Sequence, residues 1–253
     1  MITLKTPEEI EIMRAANVIV AEVLAELRRL IRPGVTTAEL DHVAEQMTRQ
    51  RGATPAFKGY AVGGRVFPSS VCVSINDEVV HGIPSARRVL QKGDIVGLDF
   101  GVQYKGFYGD AAVTVPVGDT DGESQRLMAT TREALWAGIE QVRIGQRIGE
   151  VSAAIQERVE RDGFAVVRDF VGHGIGRRLH EEPQVPNFGK RDRGMRLRAG
   201  MVLAIEPMVN AGGPDVRVKE DGWTAVTMDG RRSAHFEHSV AVTDGGPYVL
   251  SQL

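Results

Sequence analysis

Apolar residues recur at Ile10, Met13, Ala16, Val20, Val23, Leu24, Leu27 and Leu30, close to the 3.6-residue period of a helix with one buried face. Thr6-Pro7-Glu8-Glu9 precedes this run with the residues of a capping box and a proline at the first helical position. Arg28, Arg29 and Arg32, then Pro33-Gly34, close it. A second helix is predicted to open at Thr36…Glu39, to carry Leu40, Val43, Ala44 and Met47 on one face, and to stop at Gly52. Displacing the chain by 111 residues lays Arg32, Gly34, Glu39 and Gly52 on Arg143, Gly145, Glu150 and Gly163. The helix before this second pair is predicted over Glu123–Val142. The pattern predicts one domain, 1–253, built of two similar halves, about 1–117 and 118–253, joined near Val117–Gly122. A cleft between such halves is a natural place for a site.

Strand-like segments follow each helix pair. Val71–Ile75, Ile95–Phe100 and Tyr108–Val115 belong to the first half, and Ala165–Phe170, Met201–Ile205, Val216–Lys219 and His235–Val242 to the second. The fold class predicted is therefore mixed α/β (α+β). Val102–Gly106 reads as a hairpin turn. If it centres on Tyr104-Lys105, facing residues have numbers that sum to 209, and Asp99 and Asp110 stand directly opposite on one face. Like charges so placed repel, and a divalent cation held by both is the most economical compensation.

Three more groups in the second half share this character. His173 lies in Gly172-His173-Gly174, where the flanking glycines are expected to let the backbone bend and leave room around the imidazole. Glu206 ends the apolar run Met201–Ile205 and is followed by Pro207; Glu237 interrupts His235–Val242. Carboxylates in buried strands are costly unless paired or metal-bound. Four carboxylates and one imidazole match a two-metal hydrolase site, and mostly hard oxygen donors suit Mn, Fe(II) or Co(II). His81 and His180 sit at glycine or proline turns and look like catalytic groups. His42 reads as a surface residue, and His235 and His238 flank Glu237.

Composition narrows the alternatives. Lys+Arg is 31 and Asp+Glu 33, a net charge of −2, which argues against a specific nucleic-acid or anionic-membrane partner. A single cysteine, Cys72, excludes an intramolecular disulfide and a multi-cysteine metal site. The first residues are acidic and lack an apolar signal core, and runs such as Met201–Ile205 are too short to span a bilayer, so a cytoplasmic protein is expected. The basic run Lys190–Arg198 reads as a solvated loop.

Val80-His81-Gly82-Ile83-Pro84, Leu98-Asp99-Phe100-Gly101, Gly109-Asp110, Gly172–Gly176 with His180-Glu181-Glu182-Pro183, Ala204-Ile205-Glu206-Pro207 and Phe236-Glu237-His238 together resemble methionine aminopeptidase of type I, in its short bacterial form. The resemblance runs over nearly the whole chain. It implies the pita-bread fold: two pseudo-symmetric halves, an antiparallel sheet flanked by helices, and a metal site in the central cleft. It implies removal of the N-terminal methionine from peptides and nascent chains with a small second residue, through attack of a metal-bound hydroxide on the first carbonyl. It implies two divalent ions (Co, Mn, Fe(II) or Zn) held by Asp99, Asp110, His173, Glu206 and Glu237, with Asp110 and Glu237 bridging. His81 and His180 would contact the substrate amide and carbonyl, and Glu206 would also shuttle a proton. Tyr60, Phe67, Cys72, His81 and Trp223 would line the methionine pocket, and a Na or K ion would sit near Asn76 and Ser233. A monomer working near the ribosome is the family expectation. Phe57–Pro68 is longer than the family's usual form, Leu179 replaces a common aromatic and His235 a common glutamine. The alternatives are a related pita-bread peptidase acting on proline-containing peptides and a non-catalytic binding protein on the same scaffold.

Overall fold

The structure is a computed structural model that describes residues 2–253. Helix α1, Pro7–Leu30, begins at the capping box: the Thr6 side chain accepts from the Glu9 N–H while the Glu9 carboxylate accepts from the Thr6 N–H. Helix α2, Thr37–Gln50, repeats the device with Thr36 and Glu39. Helix α3 is Gly122–Ile139, capped by Asp121, and helix α4 is Ile148–Arg161. Arg147 precedes α4 and supplies no side-chain cap, so the two helix pairs share their spacing but not their start signals.

A nine-stranded antiparallel sheet organises the rest. Its spine runs Thr54–Pro55, Ile95–Tyr104, Phe107–Pro116, Glu237–Thr243, Val202–Ile205, Gly172–Gly174 and Glu181–Val185; Cys72–Ile75 joins at Ile95–Tyr104 and Gly246–Val249 at Glu237–Thr243. The helices cover one face. Val96, Leu98, Phe100 and Val102 bury that side of their strand among Ile19, Val23, Leu27 and Leu40 of α1 and α2. Leu203, Ile205, Val240 and Val242 do the same with Leu127, Leu135, Ile139, Val151 and Ile155 of α3 and α4. Because strand side chains alternate, residues of opposite parity point to the uncovered face. Asp99, Asp110 and Glu237 all belong to that second set.

The central hairpin corrects one expectation. Tyr104 pairs with Phe107, so the turn residues are Lys105 and Gly106, both with positive φ (48° and 80°), as the tightest hairpins require. Asp99 therefore faces Ala112, and Asp110 faces Gly101. The aspartates are diagonal rather than directly opposite. The register differs from the expected one by an even number, so they remain on one face.

His235–Val242 also divides. Ser233–His235 pairs with Met208–Asn210 in a separate three-stranded sheet with Ala165–Val166, and the main-sheet strand resumes at Glu237. The neighbouring chain leaves the main sheet at Glu206-Pro207 in the same way. Ala165–Phe170 shortens to Ala165–Val166. A third sheet joins Val216–Val218, Ala225–Thr227 and Glu78–Val80, and Ala61–Val62 with Arg65–Val66 forms a small hairpin of its own.

Helix α1 also fixes the backbone of the site. Asn17 is fully buried; its side-chain carbonyl accepts from the Asp110 N–H at 3.2 Å and its amide donates to the Met13 carbonyl at 2.9 Å. Asn17→Ala strands the Asp110 N–H, and the expected loss is about 1–3 kcal/mol. Urea denaturation should show a lowered midpoint at unchanged slope; an unchanged midpoint would contradict this role.

Candidate active site

The sheet register alone assembles the acidic groups. Cys72 pairs with Asp99, Asp99 with Ala112, and Ala112 with Glu237, giving a row of four residues across four strands on one face. The small Ala112 side chain separates the two carboxylates, and Asp110 lies two residues along on the same strand and face. On the other side Ala204 pairs with His173, and Glu206 follows two residues later on the same face, just past the last pair of its ladder, Ile205 with His238. All five candidate ligands thus share the face opposite the helices. Ligand atoms of Asp110, His173 and Glu237 lie within 4.8 Å of one another.

The glycines beside His173 act differently from the expectation. They lie in an extended strand, and a Cβ on Gly172 would meet the Ala204 carbonyl at 2.4 Å, one on Gly174 the Glu182 carbonyl at 2.3 Å. They allow close approach of neighbouring strands rather than a bend. His173 Nδ1 lies 2.9 Å from the Gly174 carbonyl, an acceptor only, so it carries the proton. That leaves the Nε2 lone pair facing the cluster, 3.5 Å from Glu206.

The electrostatics follow from burying several carboxylates together. Burial, then neighbouring carboxylates, pushes Asp110 and Glu237 well above the usual carboxylate range. Burial raises Asp99 to about 7, with the Glu206 charge adding to the rise, and raises Glu206 to about 8. Burial lowers His173 to about 3 and His81 to about 4, so neither imidazole is cationic at neutral pH. Asp99 Oδ1, Asp110 Oδ1 and Glu237 Oε1 are buried without any hydrogen-bond partner. Orphaned carboxylate oxygens aimed together, beside a neutral imidazole, fit a divalent cation in both charge and donor type.

These groups floor a cavity of about 320 Å³ whose walls are apolar. Phe67 meets Trp223 edge-on at 5.3 Å, and His81 stands edge-on to Phe170 at 5.5 Å. The Tyr60 hydroxyl lies 2.6 Å from His180 Nδ1, and the His180 ring is 4.4 Å from that of His173. His81 has φ +60°, a strained backbone for a non-glycine residue. Tyr60, Phe67, Cys72, His81, His180 and Trp223 all line the cavity, with Leu179 beside them.

Asn76 and Ser233 do not line it. They meet each other elsewhere, with the Ser233 N–H donating to the Asn76 carbonyl at 2.8 Å and the Asn76 amide to Asp94 at 2.8 Å. His42 is exposed on α2. His238 points away, to Ser251 at 2.8 Å and Trp136, whereas His235 Nε2 lies 3.5 Å from Glu206. Sequence reasoning had only adjacency for His235, and it missed Phe170, Val62 and Val218 as lining residues. The position of Phe170 just before Gly172-His173-Gly174 was the available signal; for the two valines there was none.

Comparison with known proteins places this geometry. The sequence matches metallopeptidase family M24 over residues 11–244. The chain belongs to that family. It is 48% identical to methionine aminopeptidase 1 of Bacillus subtilis (strain 168) over 253 residues, all of both chains. It superposes on the crystal structure of methionine aminopeptidase from Thermotoga maritima with a TM-score of 0.97, 49% identity and full coverage of both. The Xaa-Pro dipeptidase of Bacillus anthracis shares the fold at a TM-score of 0.76 and 24% identity, over 99% of this chain but 62% of that one. The M24 chain thus has the pita-bread α/β fold expected of it, and it is a metallopeptidase. None of the helices among its described residues is long and apolar enough to cross a membrane.

The raised carboxylates give a pH dependence of stability for the metal-stripped protein. Above pH 6.5 the buried histidines are neutral when folded and mostly neutral when unfolded. Asp99 and Glu206 still hold protons when folded, with values of about 7 and 8, but have lost them when unfolded. The folded state then binds more protons, so stability falls as pH rises from 6.5 to 8. Thermal unfolding of the stripped protein should show this fall, and Glu206→Gln should lessen it. A melting temperature that rises over that window would contradict the buried, unneutralised cluster.

Proposed function

We propose that the chain removes the N-terminal methionine from peptides and nascent chains whose second residue is small. The observation that supports this most is the convergence of Asp99, Asp110, His173, Glu206 and Glu237 on one sheet face, at the floor of an aromatic-walled cavity. In this reading Asp99, Asp110, His173, Glu206 and Glu237 would hold two divalent ions, with Asp110 and Glu237 shared, Asp99 serving one ion and His173 and Glu206 the other. Bound there, Co, Mn, Fe(II) or Zn supplies Lewis acidity at the first peptide carbonyl and acidifies a water beside it.

The chain's own groups do the rest. Tyr60, Phe67, Cys72, His81 and Trp223 enclose the methionine side chain, whose burial contributes roughly 1.5–3 kcal/mol. The Tyr60 hydroxyl lies 2.6 Å from Nδ1 of His180; in the tautomer where it donates to Nδ1, the imidazole proton would sit on Nε2 and could donate to the substrate carbonyl oxygen. Glu206, ionised once a cation offsets its burial, would accept a proton from the attacking water and return it to the leaving amine. Neutral His81 contacts the scissile amide. The same reading takes residues 1–253 as one catalytic domain of two halves, 1–117 and 118–253, working as a cytoplasmic monomer near the ribosome. A Na or K ion would sit beside Asn76 and Ser233.

Metal-stripped protein given Co, Mn, Fe(II) and Zn in turn should release methionine from Met-Ala-Ser and leave X-Pro dipeptides intact; the reverse preference would favour the proline-directed relatives. His180→Ala should keep its metal content and lose about 10²–10³ in kcat. Asp110→Asn should lose metal and activity together, and full metal-dependent activity in that variant would overturn the assignment.

A further inference from the structure

Phe57–Pro68 builds the mouth of the cavity. Gly59 and Phe67 are bonded through Gly59 N–H to the Phe67 carbonyl at 2.9 Å, and the Phe67 N–H donates to the Tyr60 carbonyl at 2.8 Å. Residues 61–66 continue this ladder outward: Ala61 pairs with Val66 and Val62 with Arg65, around a Gly63-Gly64 turn in which both φ angles are positive (57° and 80°). The base of the hairpin therefore holds two cavity residues, Tyr60 against His180 and Phe67 against Trp223. Its tip extends beyond them.

Paired residues share a face, so Val62 and Arg65 point together. Val62 lines the cavity. Arg65 lies across Gly222, where an added Cβ would come within 2.6 Å of its Cζ. The opposing loop is rigid: the Asp221 carboxylate accepts from the Trp223 and Thr224 N–H groups and from the Thr224 hydroxyl. Val218, just before that loop, also lines the cavity. Val62 and Val218 are 53% and 51% exposed, large apolar side chains left open at the rim of a cavity whose charged groups are at its floor. A peptide with its first residue inside must leave past this rim.

We propose that the Ala61–Val66 hairpin is a substrate-reading wall, in which Val62 and Val218 contact the peptide beyond its second residue and favour an apolar side chain at the third position. This rests on the aminopeptidase reading above and adds a specificity determinant to it. The occupant is the substrate chain itself, since the two valines are continuous with the cavity that would hold its first residue.

The test is kcat/KM for Met-Ala-Leu-Ser against Met-Ala-Ser-Ser. Wild-type protein with Mn should prefer the leucine peptide by about fivefold, mostly through KM, the effect of partly covering one such side chain. In the Val62→Ser, Val218→Ser double variant the ratio should fall to about one with metal content retained. Should that variant lose its folded signal, Val62→Ala alone must still lower the ratio about twofold. A wild-type ratio of one, or an unchanged ratio in the folded variants, overturns the wall while leaving the aminopeptidase reading intact. Failure of wild-type protein to cleave either peptide overturns both.

Discussion

Four carboxylates share a buried space in which no lysine or arginine among the described residues answers them. Ionised carboxylates taken out of water are costly unless something compensates, and the chain supplies that compensation elsewhere. Glu78, equally buried, is held by Arg88 and Lys219, and Glu181 by Lys5. Among the described residues no lysine or arginine lines the cavity of Asp99, Asp110, Glu206 and Glu237. The choice left to these groups is to keep their protons or to hold a cation, and the whole account of the site follows from that choice.

The fold serves this constraint directly. Helices cover one face of the sheet, so every residue of opposite parity is delivered to the other. A cluster drawn from neighbouring strands thereby needs no special loop to assemble it. Where finer placement is required, the chain leaves regular pairing. Glu206 and Glu237 both stand where a strand passes from one sheet to another, and His81 takes a strained backbone angle. The buried Asn17 ties the strand bearing Asp110 to α1, so the long helix that covers the sheet also locates a candidate ligand on its far side.

Much of this is legible in the amino-acid sequence. The capping boxes at Thr6 and Thr36 mark both helix starts because reciprocal side-chain caps are local. The shared face of Asp99 and Asp110 is legible because it depends only on parity. Their exact pairing is not: it depends on whether Tyr104-Lys105 or Lys105-Gly106 makes the turn, and Lys105 adopts a left-handed conformation that its side chain does not advertise. The switch of sheets at Phe236 and the role of Gly172 and Gly174 in strand approach are also hidden, because both arise from contacts between segments distant in sequence. The same holds for Val62 and Val218, which line one cavity only in the folded chain.

The most direct test of the central claim is anomalous diffraction from crystals of the protein soaked in manganese. The account predicts anomalous density enclosed by Asp110, Glu237 and His173, with Asp99 and Glu206 alongside. A fully loaded crystal in which manganese lay only on surface carboxylates, with those five side chains unliganded, would contradict it.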